Sequence, residues 1–172
     1  MVSKKGAPQN YSPKPRIEGV QVVELKQFVG EDGSFEELIR LTDKGTLQQF
    51  PNFQLRQVSH SELLPAAVKA WHFHFKQEDI WYISPKYHML LGLWDLRKKS
   101  ATKENTMRIT MGAGTSKLVY IPQGVAHGVL NLSHKPGSIL YFLSQQFDPS
   151  NNDENRLPWD AAGKTFWQPE RG

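Results

Sequence analysis

Cysteine is absent from the 172-residue sequence, which excludes a disulfide framework, a thiolate metal site and a thiol nucleophile. The sequence also lacks any stretch approaching the ~20 consecutive apolar residues that a membrane-spanning helix requires. Apolar residues make up 38% and charged residues 22% of the chain, a balance typical of globular proteins. The N-terminus has no apolar core of the kind found in secretory signals, so we expect a cytoplasmic protein.

Acidic residues are absent from positions 1–16, which contain Lys4, Lys5, Lys14 and Arg16. The rest of the chain has 17 basic and 17 acidic side chains, so the net charge of +4 comes from the N-terminal segment. We interpret residues 1–16 as a flexible basic tail and residues 17–172 as a single domain of ordinary size. A domain without net charge gives no reason to expect nucleic acid or a membrane as a partner.

Helical periodicity is scarce. Between residues 19 and 147 the sequence consists of short alternating or apolar runs separated by Gly, Pro, Asn, Asp and Ser, which predicts strands. About ten strands in one domain favour an all-β fold, either a sandwich or a barrel, and the jelly roll made of two sheets is one standard form. A short helix is expected at residues 60–67, and the prolines beyond residue 147 predict an ordered coil that wraps the barrel. The strands are predicted at residues 20–28, 35–42, 53–59, 68–75, 80–84, 87–96, 106–112, 117–121, 128–132 and 139–147.

Two segments place histidines on predicted strands. In the first, His72 and His74 are two residues apart and therefore face the same side of a strand. In the second, a Pro-x-Gly turn precedes His127. This pattern resembles the two sequence motifs of the cupin superfamily. That resemblance implies a divalent metal ion, for which imidazole and carboxylate are suitable ligands; its ligands would be His72, His74, Glu78 and His127.

A wider resemblance extends over residues 33–168. Residues 56–72 contain Arg-Gln-Val-Ser-x-Ser followed by Lys-Ala-Trp-His, residues 95–102 contain Asp-Leu-Arg-x-x-Ser-x-Thr, and residues 121–128 contain Ile-Pro-x-Gly-x-Ala-His-Gly. These stretches are similar, in order and spacing, to motifs of the dTDP-4-dehydrorhamnose 3,5-epimerases. The same order continues with Tyr141, Phe147-Asp148-Pro149, Glu154, Trp159-Asp160 and Trp167.

The resemblance to the epimerases implies a cupin-type barrel and an isomerase that needs no cofactor. Such enzymes remove and return protons next to the C4 keto group of a dTDP-4-keto-6-deoxysugar, so the expected ligand is a nucleotide-linked deoxysugar. His72 matches the family's base and Tyr141 matches its acid. A homodimer with N-terminal strands exchanged or packed across the interface is also implied. The expected substrate-binding residues are Arg56, Gln57, Ser59, Ser61, Lys69, His127 and Glu37.

Three positions depart from the pattern of the epimerases. Ile80 stands where the family has a lysine that holds the developing charge on O4, and Asp32 stands where it has a phosphate-contacting arginine. The family's aspartate that orients the catalytic histidine would fall beyond residue 172, so Asp79, Glu78 or Asp160 is expected to take its role. Two alternatives stay open. The histidine motifs allow a metal-dependent cupin, such as a dioxygenase or small-molecule isomerase, and the departures are consistent with a non-catalytic sugar-binding cupin.

Overall fold

A computed structural model describes Ser12 and residues 14–170, so most of the predicted basic tail, residues 1–16, lies outside the described residues. The described part of the chain consists of strands, turns and coil, and it contains no helix that could cross a membrane. The strands are β1 (Gln21–Glu24), β2 (Gln27–Gly30), β3 (Gly33–Glu36), β4 (Gln57–Leu63), β5 (Val68–Phe73), β6 (Asp79–Tyr82), β7 (His88–Asp95), β8 (Thr106–Gly112), β9 (Lys117–Ile121), β10 (Val125–Asn131), β11 (Gly137–Leu143) and β12 (Asn155–Arg156).

Two five-stranded antiparallel sheets pack face to face, as the jelly-roll prediction requires. The first sheet has the order β1-β9-β6-β11-β4 and the second the order β12-β5-β10-β7-β8. Strands β2 and β3 form a separate hairpin. In the second sheet β10 lies between β5 and β7, which sets His127 directly opposite His72 on the neighbouring strand.

The main core lies between the two sheets, where every second side chain of each strand points inward. Val125 and Val129 of β10 contribute from the second sheet, and Ile121 of β9 contributes from the first. The outer faces are covered as well: a cluster around Leu47, Phe50 and Phe53 covers the first sheet, and the C-terminal coil covers the second. Trp167 of that coil packs on Trp71 with ring centroids 4.8 Å apart.

Most of the predicted strands are present in the structure, but several begin or end at other residues than predicted. The predictions at 106–112 and 117–121 coincide with β8 and β9. The predicted helix at residues 60–67 is wrong, because β4 continues to Leu63 with regular alternation of exposed and partly buried side chains. Only the first two residues of the predicted strand 35–42 belong to β3. Strand β12 was not predicted, since two residues carry no periodic pattern.

The motif at residues 95–102 forms a hydrogen-bonded clip at the end of β7. The buried carboxylate of Asp95 accepts hydrogen bonds from Arg97 Nε at 2.8 Å, Ser100 Oγ at 2.6 Å and Thr102 Oγ1 at 2.7 Å. Burial raises the pKa of Asp95, but these hydrogen bonds outweigh it and hold the pKa well below its usual range. Arg97 Nη2 also donates to the carbonyl oxygen of Glu18 at 2.6 Å. The motif therefore fastens the chain that precedes β1 to the barrel.

Candidate active site

A cavity of about 1000 Å³ opens between the two sheets. Its walls are the inner faces of β4, β6 and β11 in the first sheet and of β5 and β10 in the second, and residues 144–156 border it. Glu37 lies outside this cavity, where its carboxylate pairs with Arg40 Nη2 at 2.6 Å. All the other sequence-predicted site residues line the cavity: Arg56, Gln57, Ser59, Ser61, Lys69, His72, His74, Glu78, His127 and Tyr141.

A bulge in β5 allows Lys69 and His72 to face the same cavity. On a regular strand, residues three apart point to opposite faces. Here Lys69 pairs with Val129 and His72 pairs with His127, so three steps on β5 match two steps on β10. The bulge needs a glycine at position 128, because a Cβ there would lie 2.4 Å from Ala70 Cβ. The extra residue of the bulge in β5 thus lets the Lys69 ammonium and the His72 imidazole line the same wall of the cavity.

His72 is held by a carboxylate that the sequence comparison did not assign to it. Its Nδ1 lies 2.9 Å from Glu154 Oε1, and because a carboxylate only accepts, Nδ1 carries the proton of the neutral ring. Nε2 is then unprotonated, which is the form in which an imidazole acts as a base. Burial lowers the pKa of His72, and Glu154 acts in the opposite direction.

Two of the three carboxylates expected to orient His72 have other partners. Glu78 accepts a hydrogen bond from the Tyr120 hydroxyl at 2.8 Å, and Asp79 accepts one from Trp81 Nε1 at 3.0 Å. The expectation for Asp79, Glu78 or Asp160 was therefore wrong, and Glu154 makes the contact. A signal was present in the sequence, because Glu154 already matches a glutamate of the epimerase pattern.

Tyr141 faces the cavity from β11, on the sheet opposite to His72. Its hydroxyl lies 2.8 Å from Ser61 Oγ, and its ring meets Trp81 edge to face with centroids 4.8 Å apart. Burial raises the pKa of Tyr141, so the phenol stays protonated at neutral pH. The cavity thus has a potential base on one sheet and a potential acid on the other.

Three buried groups, His74, Asp79 and His127, form a compact cluster beside His72, with ligand atoms within 4.8 Å of one another. His74 Nδ1 lies 3.0 Å from the carbonyl oxygen of Asp153, and His127 Nδ1 lies 3.0 Å from that of Val125. Both Nδ1 atoms therefore donate, which leaves both Nε2 atoms as acceptors. Burial lowers the pKa of His127 to about 4, although Asp79 opposes the shift. This cluster is the set of described residues able to hold a metal ion.

The metal set expected from the sequence is only partly brought together. His74 and His127 belong to the cluster, but Asp79 occupies the place expected for Glu78, whose carboxylate binds Tyr120. Gln77 Nε2 lies 3.2 Å from His74 Nε2 and 2.8 Å from Asp79 Oδ1. The amide group of Gln77 thus donates hydrogen bonds to two of the three potential metal ligands, His74 and Asp79.

The model of one protein family, dTDP-4-dehydrorhamnose 3,5-epimerase, matches residues 14–168 of the chain. The chain belongs to the dTDP-4-dehydrorhamnose 3,5-epimerase family. Membership confirms the class of enzyme expected from the sequence, a nucleotide-sugar epimerase or isomerase. It also agrees with the cupin-type all-β barrel, since the two packed sheets are those of the family's jelly roll.

Several relatives of this epimerase-family chain cover most of its length. Spore coat polysaccharide biosynthesis protein SpsL of Bacillus subtilis is 40% identical over 155 residues, which are 90% of this chain and 98% of that protein. A dTDP sugar isomerase from Desulfovibrio desulfuricans has a crystal structure with a TM-score of 0.73 at 27% identity, covering 84% of this chain and 87% of that one. ChmJ, a 3'-monoepimerase from Streptomyces bikiniensis, gives a TM-score of 0.73 at 20% identity over 92% and 82% of the two chains and shows the same fold.

The structure of this epimerase-family chain corrects one residue assignment. Ile80, matched to the family's lysine by sequence, is fully buried in the cluster on the outer face of the first sheet. The residues of β6 that face the cavity are Asp79 and Trp81. At this wall the chain therefore presents an acid and an indole, with no cationic side chain on β6.

Proposed function

We propose that this chain is a cofactor-independent epimerase of a dTDP-linked 4-keto-6-deoxysugar, with His72 as the base and Tyr141 as the acid. The observation that carries the proposal is the position of these two side chains on opposite sheets of one cavity, with His72 bound to Glu154. Epimerisation requires a proton to leave one face of the sugar ring and return to the other. Groups on opposing walls meet that requirement without any movement of the ring.

The chemistry follows from the keto group. The carbonyl at C4 acidifies the protons on C3 and C5, so a neutral imidazole can remove one and leave an enolate. The imidazolium formed at His72 is stabilised by the carboxylate of Glu154, which lies at 2.9 Å. The Tyr141 phenol then delivers a proton to the opposite face of the same carbon. His127, buried and kept neutral, lines the same cavity.

The polar wall of the cavity supports a nucleotide sugar as the ligand. Gln57, Ser59 and Ser61 alternate along the inner face of β4 and offer hydrogen-bonding groups for sugar hydroxyls. Arg56 and Lys69 supply positive charge for a diphosphate. A relative from Legionella pneumophila was crystallised in complex with dTDP-4-keto-L-rhamnose, which supports the same class of substrate here.

The experiment that tests this function is solvent deuterium exchange. The wild-type protein is incubated in D2O with a dTDP-4-keto-6-deoxysugar, and deuterium at C3 and C5 is followed by NMR. We expect exchange at one or both carbons, and the same rate before and after dialysis against a chelator, because the proton transfers need only side chains. A rate that is lost with the metal and restored by adding it back would favour the metal-dependent alternative. Binding of the nucleotide sugar without any exchange would favour the non-catalytic sugar-binding alternative.

A homodimer is the second part of the proposal. The hairpin of β2 and β3 carries three exposed apolar side chains, Phe28 at 51%, Val29 at 79% and Phe35 at 66% exposure. Large apolar residues grouped on a hairpin that joins neither main sheet favour packing against a second copy. We expect twice the chain mass by light scattering at micromolar concentration, and a shift towards the monomer in Phe28→Glu. A monomeric wild-type protein would contradict the dimer.

The cytoplasmic location expected from the sequence stays a prediction.

A further inference from the structure

One carboxylate oxygen holds both the proposed base and an arginine. Glu154 Oε1 accepts from His72 Nδ1 at 2.9 Å, from Arg156 Nε at 2.9 Å and from Arg156 Nη2 at 2.6 Å. Arg156 lies on β12, directly opposite His72 on β5 in the sheet register. The imidazole and the guanidinium therefore compete for the negative charge of a single atom.

Arg156 is placed to meet an anion in the cavity. Its side chain is 71% exposed, against 31% for Glu154 and 22% for His72, and it lines the same cavity as Lys69. Exposed ion pairs hold their partners weakly, whereas a guanidinium binds a phosphate group through two parallel hydrogen bonds. A diphosphate that enters the cavity can therefore take the guanidinium from Glu154.

We propose that Arg156 leaves Glu154 to bind the diphosphate of the nucleotide sugar, so that the Glu154 carboxylate then holds His72 alone. This inference rests on the proposed function, since it takes a nucleotide-linked sugar as the ligand. A sugar without the nucleotide diphosphate would leave Arg156 on Glu154.

The first test measures binding of dTDP-glucose, a probe that lacks the keto group and so cannot be turned over. We expect Arg156→Gln to raise the Kd at least about 10-fold, because a charge-assisted hydrogen bond to phosphate is lost. Arg156→Lys keeps the charge but loses the two-pronged geometry, so its Kd should lie between the two. Lys98→Gln, an equal loss of charge at an exposed position outside the cavity, is the control and should bind as the wild type does.

The second test measures the Kd of dTDP-glucose in Glu154→Gln. This change removes the carboxylate that holds Arg156 in the free protein, so binding should be retained or tightened. An unchanged Kd in Arg156→Gln, or a loss of binding in Glu154→Gln as large as that in Arg156→Gln, would overturn the inference.

The two proposals fail separately. A Kd for dTDP-glucose that depends on Arg156, but no deuterium exchange with any 4-keto sugar, would remove the epimerase function and leave the role of Arg156 intact. Exchange at the wild-type rate and affinity in Arg156→Gln would remove the role of Arg156 and leave the epimerase function intact.

Discussion

Replacement of His72 by alanine is expected to reduce deuterium exchange at C3 and C5 by ~10²–10⁴-fold, the usual contribution of a positioned general base. His72 has the shortest carboxylate contact of the three cavity histidines, 2.9 Å between Nδ1 and Glu154 Oε1, against 3.6 Å between His127 Nε2 and Asp79 Oδ2. The other two cavity histidines donate Nδ1 to backbone carbonyl oxygens. A carboxylate stabilises the imidazolium that proton removal creates, and a neutral carbonyl does so less.

The control for this variant is His60→Ala. His60 lies on the same strand as Ser59 and Ser61 but points to the exposed face of β4, so its loss should leave exchange within a factor of about two, as surface substitutions usually do. The melting temperature of both variants should stay near that of the wild type, which separates a lost base from a lost fold. If His72→Ala exchanges deuterium at the wild-type rate, the base is another residue.

The pH dependence of exchange has a defined sign. A base must be unprotonated to accept a proton, so kcat/KM for exchange should be at its full value above the pKa of His72 in the free enzyme and should fall as the pH drops below it. Burial lowers that pKa from the ordinary value of about 6.5, so the fall should begin in mildly acidic solution. In Glu154→Gln the support from the carboxylate is lost, and the fall should move to still lower pH.

Much of this site was predictable because strand periodicity carries it. Gln57 and Ser59 lie two residues apart on the strand predicted at 53–59 and therefore share a face, and the histidine motifs predict that His72 and His127 meet. Ser61 joins that face because β4 continues into the residues predicted as a helix. Both predictions need only the spacing of residues along a strand and the order of the motifs. The structure adds the strand pairing, since β5 and β10 are neighbours in the sheet and pair His72 with His127.

The features that the sequence did not predict depend on which residues of a strand point inward and on contacts between residues far apart in the chain. The resemblance to the epimerases placed the family's lysine position at Ile80, but on β6 the side chain of Ile80 points outward and those of Asp79 and Trp81 point into the cavity. The contact between Glu154 and His72 joins residues 82 positions apart. Glu154 lies just ahead of β12, which is too short for a periodic pattern, so only the tertiary structure shows which histidine it meets.

Replacement of Tyr141 by phenylalanine is expected to separate the two halves of the reaction. The variant keeps the ring that packs edge to face on Trp81 at 4.8 Å and loses the hydroxyl that lies 2.8 Å from Ser61 Oγ. Proton removal by His72 should continue, so deuterium should still enter C3 or C5 with retention of configuration, returned by the same imidazole.

Delivery to the opposite face should fail in this variant, because no other described side chain on that wall of β11 offers an acidic proton. The yield of epimerised sugar should therefore fall by ~10²–10⁴-fold, the range for a lost general acid, while exchange falls much less. Ser61→Ala removes the hydrogen-bond partner and keeps the phenol, so it should retain epimerisation. Tyr87→Phe, outside the cavity, should change neither quantity. Equal losses of exchange and epimerisation in Tyr141→Phe would show that the hydroxyl serves proton removal or binding, and the acid would have to be sought on another wall of the cavity.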